Sequence, residues 1–411
     1  MKLITTALFG LAVWLSPLVE SRALADGVMT DVQADLANAH LSQADTVLNT
    51  RLAEAPGDDQ ARFALGAVQF LAAIEHLGHG LYRHGLNSGP GQHGRRSLLP
   101  ALRIPVPINP RPEELTYDAF QGLLRDFTAE LDAAEKTLAA IRDEKVVMPL
   151  DLAQVRLDLN GDGAGGTDEG LIPLFEAFGS RLPAAQRNTG LAVDFDWGDV
   201  AWLRGYCHLL QAIADVSLAY DWHEAFETTF PSYFPMPHSP NAKLGQSDQS
   251  FSDILDIVAF IHLIRWQVVD RSRLLGVQQH LEAMVQSSQE SWDRIGAETD
   301  NVREWIPNPQ QVSAIGGVRI TAETIEAWRL FLGDFQALLE GKKLLPHLRL
   351  AGGLNLDRFF RESETFDLVL MIQGSAALPY LEQGDMASGR SWDRMVSLMG
   401  GNFLRYAIWF N

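Results

Sequence analysis

Six residues of one short stretch, Asp158, Asn160, Asp162, Ala164, Gly166 and Glu169, are spaced to bring oxygens to a single point. A set rich in oxygen and free of sulfur suits a hard cation such as calcium, which takes about six to eight oxygens from carboxylates, carbonyls and water. Asp158, Asn160, Asp162 and Glu169 carry side-chain oxygens, whereas Ala164 and Gly166 have only main-chain carbonyls to offer. Gly163 lies among them, and a residue without a Cβ turns most easily.

The stretch Asp158-Leu-Asn160-Gly-Asp162-Gly163-Ala164-Gly165-Gly166-Thr-Asp168-Glu169 resembles the calcium loop of the EF-hand family. The resemblance covers this loop and its flanks, a small part of the chain. It implies calcium as the cofactor, a helix on either side, and the six residues above as ligands: Ala164 through its carbonyl, Gly166 through a water, Glu169 through both carboxylate oxygens, with Gly163 at the sharp turn. Two positions depart from the family pattern. Gly165 stands where EF-hands carry an aliphatic residue that pairs with a second loop, and Gly166 offers no side-chain ligand. No second copy of the loop occurs in the sequence. A lone, glycine-softened loop with three carboxylates implies weak binding, on the order of 10⁻⁴–10⁻³ M, and a structural staple rather than a sensor.

The other concentration of chemistry is Glu75-His76-Leu-Gly-His79-Gly-Leu-Tyr-Arg83-His84, with His93 following. Glu75 and His79 are four apart, a helical spacing that can serve one metal, although the H-E-x-x-H order is absent. Solvated histidines at a helix end are the plainer reading. A third reading takes Arg83, His84, His93, Arg95, Arg96, Arg103 and Arg111 as a basic island for an anion or for the protein's own acidic face.

Helices must position these groups, and the expected fold is mainly α: a multi-helix assembly with at most a small two-stranded β-ribbon. Residues 30–80 read as two helices broken at Pro56-Gly57-Asp58-Asp59. The junction from Arg51 to Gly66 resembles that between tetratricopeptide repeats, where a proline closes one repeat and Ala-x-x-x-Leu-Gly opens the next. One and a half copies are visible, which implies a helical hairpin (26–85) docked on the rest. Residues 86–113, with Pro90, Pro100, Pro105, Pro107, Pro110 and Pro112, read as an extended linker. Residues 114–411 would form the larger helical domain carrying the loop.

Within it, Phe120, Leu124, Phe127, Leu131, Ala134, Leu138 and Ile141 mark an amphipathic helix. Pro149–Leu157 reads as a short helix entering the loop, and Leu171–Phe178 as the helix leaving it. Asp194, Asp196 and Asp199 cap a long helix with Trp202, Tyr206, Leu209, Ile213, Val216 and Tyr220 on one face. Phe251–Val269 is apolar nearly all round, so it should lie centrally and bury Asp256, His262 and Arg265. Gly317–Ile320 and His347–Leu350 are the expected ribbon. The C-terminal residues from Asn402, dense in aromatics, should be docked.

The ends and the composition bound the function. Met1-Lys2, the apolar run Leu3–Leu15 and the small residues Ala23 and Ala25 read as a signal peptide (1–25), implying export to a bacterial periplasm. No cysteine follows that run to carry a lipid anchor, and Cys207, the single cysteine, excludes an internal disulfide. A net charge of −19 makes nucleic acid and anionic membranes poor partners. No dinucleotide, phosphate-loop or nucleophile-elbow motif is present. The sequence therefore points to an exported calcium-binding helical protein that binds a partner or small ligand. The alternative is a periplasmic metal-dependent hydrolase or a transition-metal-handling protein, using His76, His79, His84 and His93 or Asp256 and His262.

Overall fold

The computed structural model describes residues 16–88, 99–178, 190–235, 252–316 and 319–398. Its order begins with α1 (Ser16–Ala37), α2 (Leu41–Glu54) and α3 (Asp59–Arg83). The break between α2 and α3 falls at Pro56-Gly57, and the Asp58 carboxylate caps α3 by accepting the Ala61 N–H. Arg51, in the last turn of α2, reaches Asp58 at 2.7 Å and ties the two helices across the turn.

Residues 99–106 pack inward: Leu102, Ile104 and Val106 are buried, and Pro100–Arg103 forms one 3₁₀ turn. The proline-rich segment expected as an extended linker is thus, in its described part, a strap over the core. Its apolar residues pay for that placement through burial.

α4 (Tyr117–Ala139) starts at the Thr116 hydroxyl, which accepts the Ala119 N–H, and buries Phe120, Leu124, Phe127, Leu131, Ala134 and Leu138 as the periodicity predicts. The chain continues through β1 (Met148–Asp151), α5 (Leu171–Ala177), β2 (Ala192–Phe195) and α6 (Trp197–Ala219). There follow β3 (Tyr220–Asp221), α7 (His223–Thr229), α8 (Ser252–Leu263), β4 (Arg265–Val268) and α9 (Arg271–Ala297). α10 (Ala322–Leu339), β5 (Leu345–Pro346), β6 (Gly353–Leu354), α11 (Leu356–Glu362), β7 (Thr365–Asp367), α12 (Leu368–Gln373), β8 (Leu381–Glu382) and α13 (Gly389–Leu398) complete it.

The fold is mainly α, with small antiparallel sheets ordered β1-β2, β3-β4-β7 and β5-β6-β8. The strand expected at His347–Leu350 is not formed; Leu345 and Pro346, just before it, pair with Leu354 and Gly353 instead. The other expected strand includes Gly317 and Val318, which lie outside the described residues.

One apolar core runs from Val32 to Leu332, so the N-terminal hairpin and the later helices share it. α4 packs on both α3 and α6, and α6 packs most extensively on α9. That sandwiching changes which side of α6 is deepest. Val200, Leu203, Cys207, Ala214 and Leu218 are buried, while Ile213 and Val216, expected inward, are partly exposed. α9 buries Trp292 and Ile295 in its last turns.

The apolar helix expected at the centre is on the outside. Leu255 is 64% and Val258 58% exposed, and the chain leaves the helix at Leu263 to form β4. His262 is exposed, and Arg265 pairs with Glu224 at 3.1 Å at the surface. The expected burial of these two side chains is therefore corrected: α4, α6 and α9 already fill the interior, leaving α8 only an outer face. The Asp256 side chain, the expected docking of the tail from Asn402, and residues 1–15 of the expected leader lie outside the described residues.

Candidate functional site

The oxygen-rich loop sits between β1 and α5, and main-chain pairing closes its base. Leu157 donates to the Glu169 carbonyl at 2.7 Å and Leu171 to the Val155 carbonyl at 3.3 Å. Val155, Leu157, Leu159 and Leu171 are buried beneath it. The helix expected to enter the loop is absent. Pro149, which has no N–H to give a helix and biases Met148 toward extended geometry, lies in β1, paired with Asp194 of β2. The helix leaving the loop is α5, as expected.

Inside the loop, carboxylates gather main-chain N–H groups. Asp158 Oδ1 accepts from Gly161 at 2.7 Å and Asp162 at 3.0 Å, and its Oδ2 accepts from Gly163 at 2.8 Å. Asn160 accepts from Asp162, and Asp162 from Ala164. Glu169 spans the mouth: Oε1 takes the Leu159 N–H at 3.0 Å and Oε2 the Gly166 N–H at 2.8 Å. Gly161 and Gly163 adopt φ of 75° and 86°, a region that glycine enters without penalty. Asp158 and Glu169 are buried, whereas Asp162, Ala164 and Gly166 face solvent. Burial, and then the charges of Asp162 and Asp158, push the Glu169 carboxyl above its ordinary range.

α3 supplies a second layer that the sequence did not reveal. Glu75 Oε2 accepts the Asp158 N–H at 2.7 Å, and His79 Nε2 donates to the Asp158 carbonyl. Helical spacing does bring Glu75 and His79 to one target, and that target is the peptide backbone of Asp158. Burial raises the Glu75 carboxyl to about 7, with the neighbouring Asp158 and Glu169 charges adding to the effect.

The remaining histidines part company. His76 Nδ1 pairs with Glu130 of α4 at 2.8 Å, and that hydrogen bond raises its basicity. The His76 and His79 rings stand 6.0 Å apart, but their nitrogens serve different partners. His84 is buried, 3.4 Å from the Glu113 carbonyl, and His93, Arg95 and Arg96 lie outside the described residues. His76, His79, Arg83, Asp126 and Glu130 line an open cleft of about 450 Å³ between α3 and α4.

A different carboxylate group lies at the start of α6. Among the described residues, Asp196, Glu298 and Glu304 form the one set of three His, Cys, Asp or Glu side chains whose ligand atoms lie within 4.8 Å of one another. The three carboxylates of the loop do not close to that spacing. Glu298 Oε1 is buried without a hydrogen-bond partner, and its Oε2 takes the Gln311 amide at 3.2 Å. Burial and the Asp196 charge raise Glu298 to about 8 and Glu304 to about 7. Asp199, fully interior, is pushed up by the same causes. Such a group can hold protons or a cation. The sequence signal for it was Asp194-x-Asp196-x-x-Asp199, which served the capping argument and does form a capping box. Its partners, about a hundred residues away, were not legible.

No protein-family model matches the chain, and comparisons with curated proteins and with solved structures find no match.

Proposed function

We propose that this protein is a calcium-stabilised, exported helical binding protein in which the 158–169 loop is a structural staple. Calcium would take Asp158, Asn160, Asp162, Glu169, the Ala164 carbonyl and, through a water, the Gly166 position. What carries the reading is a pair of buried carboxylates, Asp158 and Glu169, at the two ends of a turn whose Gly161–Ala164 and Gly166–Asp168 stretches are exposed. Among the described residues no lysine or arginine pairs with Asp158, Asp162 or Glu169, so their charge calls for a cation from outside. Holding the loop closed would fix β1 and α5 against α3 through Glu75 and His79. One candidate place for a small ligand is the cleft lined by His76, His79, Arg83, Asp126 and Glu130.

The test is calcium titration of the purified protein by calorimetry at millimolar levels, alongside Glu169→Gln. Heat and a rise in melting temperature with calcium, both lost in the variant, support the reading. A melting temperature equally calcium-dependent in both proteins overturns it.

A further inference from the structure

Away from the loop, two histidines face each other across the α6–α9 interface. His208 Nδ1 and His280 Nδ1 are 3.1 Å apart, with ring centroids 5.3 Å apart. Their outer nitrogens look at carboxylates. His208 Nε2 is 3.7 Å from Glu135 of α4, and His280 Nε2 is 3.8 Å from Asp215 of α6. Each carboxylate also meets an arginine: Arg204 at 3.0 Å on the same Glu135 oxygen, and Arg273 at 2.7 Å on the other Asp215 oxygen. These charges offset one another, and Asp132 of α4 adds negative potential at His280.

The two carboxylates lie just beyond hydrogen-bond distance and, as acceptors only, favour the tautomer with its proton on the facing Nε2. In that tautomer both Nδ1 lone pairs face the gap between the rings, where one cation can take both; with a proton on one Nδ1 the pair instead makes an N–H···N hydrogen bond. The spacing suits a metal. Two nitrogens bound to one tetrahedral zinc at about 2.0–2.1 Å stand about 3.3 Å apart, so the rings would part by only ~0.2 Å. A histidine whose far N–H is directed to a carboxylate is also the usual supporting arrangement of a metal-bound imidazole. Gln211, 3% exposed, stands beside His208 and gives its amide N–H to the Thr128 carbonyl.

We propose that His208 and His280 bind a divalent transition metal of the zinc type through their Nδ1 atoms, with Glu135 and Asp215 as positioning residues. Two protein ligands leave the other positions to water or an exchangeable ligand, so the site suits reversible metal binding.

The experiment titrates zinc, and cobalt as its visible reporter, into the untagged, chelator-treated full chain. One zinc per chain is expected, lost in His208→Ala and in His280→Ala. Glu135→Gln should weaken binding about tenfold to a hundredfold. His76→Ala and Glu169→Gln should leave it unchanged, which separates this site from the cleft and the calcium loop. His280→Gln, at a position a quarter exposed, preserves size and polarity should an alanine variant fail to fold. Zinc binding that survives both histidine substitutions, or the absence of any zinc heat up to millimolar concentration, overturns the proposal. A pair that merely shares a proton gives the second result.

Discussion

The Glu75 carboxylate accepts the main-chain N–H of Asp158 at 2.7 Å, across 83 residues of sequence. Both side chains are buried. His79, one turn further along α3, takes the carbonyl of the same residue. Asp158 therefore has its side chain turned into the loop and its backbone held by α3, so the loop is built on the N-terminal hairpin rather than merely beside it.

Glu75→Ala would strip that buried N–H of its acceptor. A cost of about 1–3 kcal/mol is expected in urea unfolding, with less for Glu75→Gln, which keeps an acceptor oxygen. Equal losses in the two variants would overturn this account, because Glu75→Gln keeps both the packing and an acceptor oxygen.

Gly78 permits the close approach of the loop to α3. A Cβ built there would stand 2.6 Å from Leu159 Cδ2, and Leu159 is the second residue of the loop. Gly78→Ala should therefore cost about 1–3 kcal/mol and weaken any calcium heat. Gly122→Ala, in α4 with nothing within 4 Å of its Cβ position, should instead gain up to about 1 kcal/mol in the same thermal melts.

The carboxylates near the start of α6 imply a pH dependence with a definite sign. Glu298, at about 8, and Glu304, at about 7, hold protons in the folded chain that the unfolded chain releases near 4.5. Between those limits the folded state binds more protons, so their contribution to stability falls as pH rises. Each unit of displacement is worth about 1.4 kcal/mol, and the partial exposure of Glu298 trims its share to on the order of 2 kcal/mol. Glu298→Gln should flatten the fall in melting temperature from pH 5 to pH 8. An unchanged slope would exclude Glu298 as its source.

The outer face of α8 should tolerate charge. Leu255→Glu or Val258→Glu, at exposed positions, should change stability by less than about 0.5 kcal/mol in chemical denaturation. A loss of several kcal/mol would mean that this face is covered in solution.

Local signals fared well where neighbours in sequence are neighbours in space. The Phe120–Leu138 stripe, the Pro56-Gly57 break, the Asp196 cap and the glycine turns of the 158–169 loop each depend on residues within a few positions of one another, so period and turn chemistry were enough. Apolarity by itself misled at α8, because hydrophobicity says that a helix seeks cover and not which helices reach the interior first. The entering helix failed for a related reason: Met148–Asp151 found a strand partner in Ala192–Phe195, some forty residues away.

The sequence by itself determined a mainly helical chain, its turns, and a loop with oxygen-bearing side chains at regular spacing. Only tertiary structure decided that Glu75 and His79 serve Asp158, that Asp196 meets Glu298 and Glu304, and that His208 meets His280. Those meetings depend on how helices far apart in the chain are laid side by side. That packing is set by the fit of whole apolar faces, which no local pattern records.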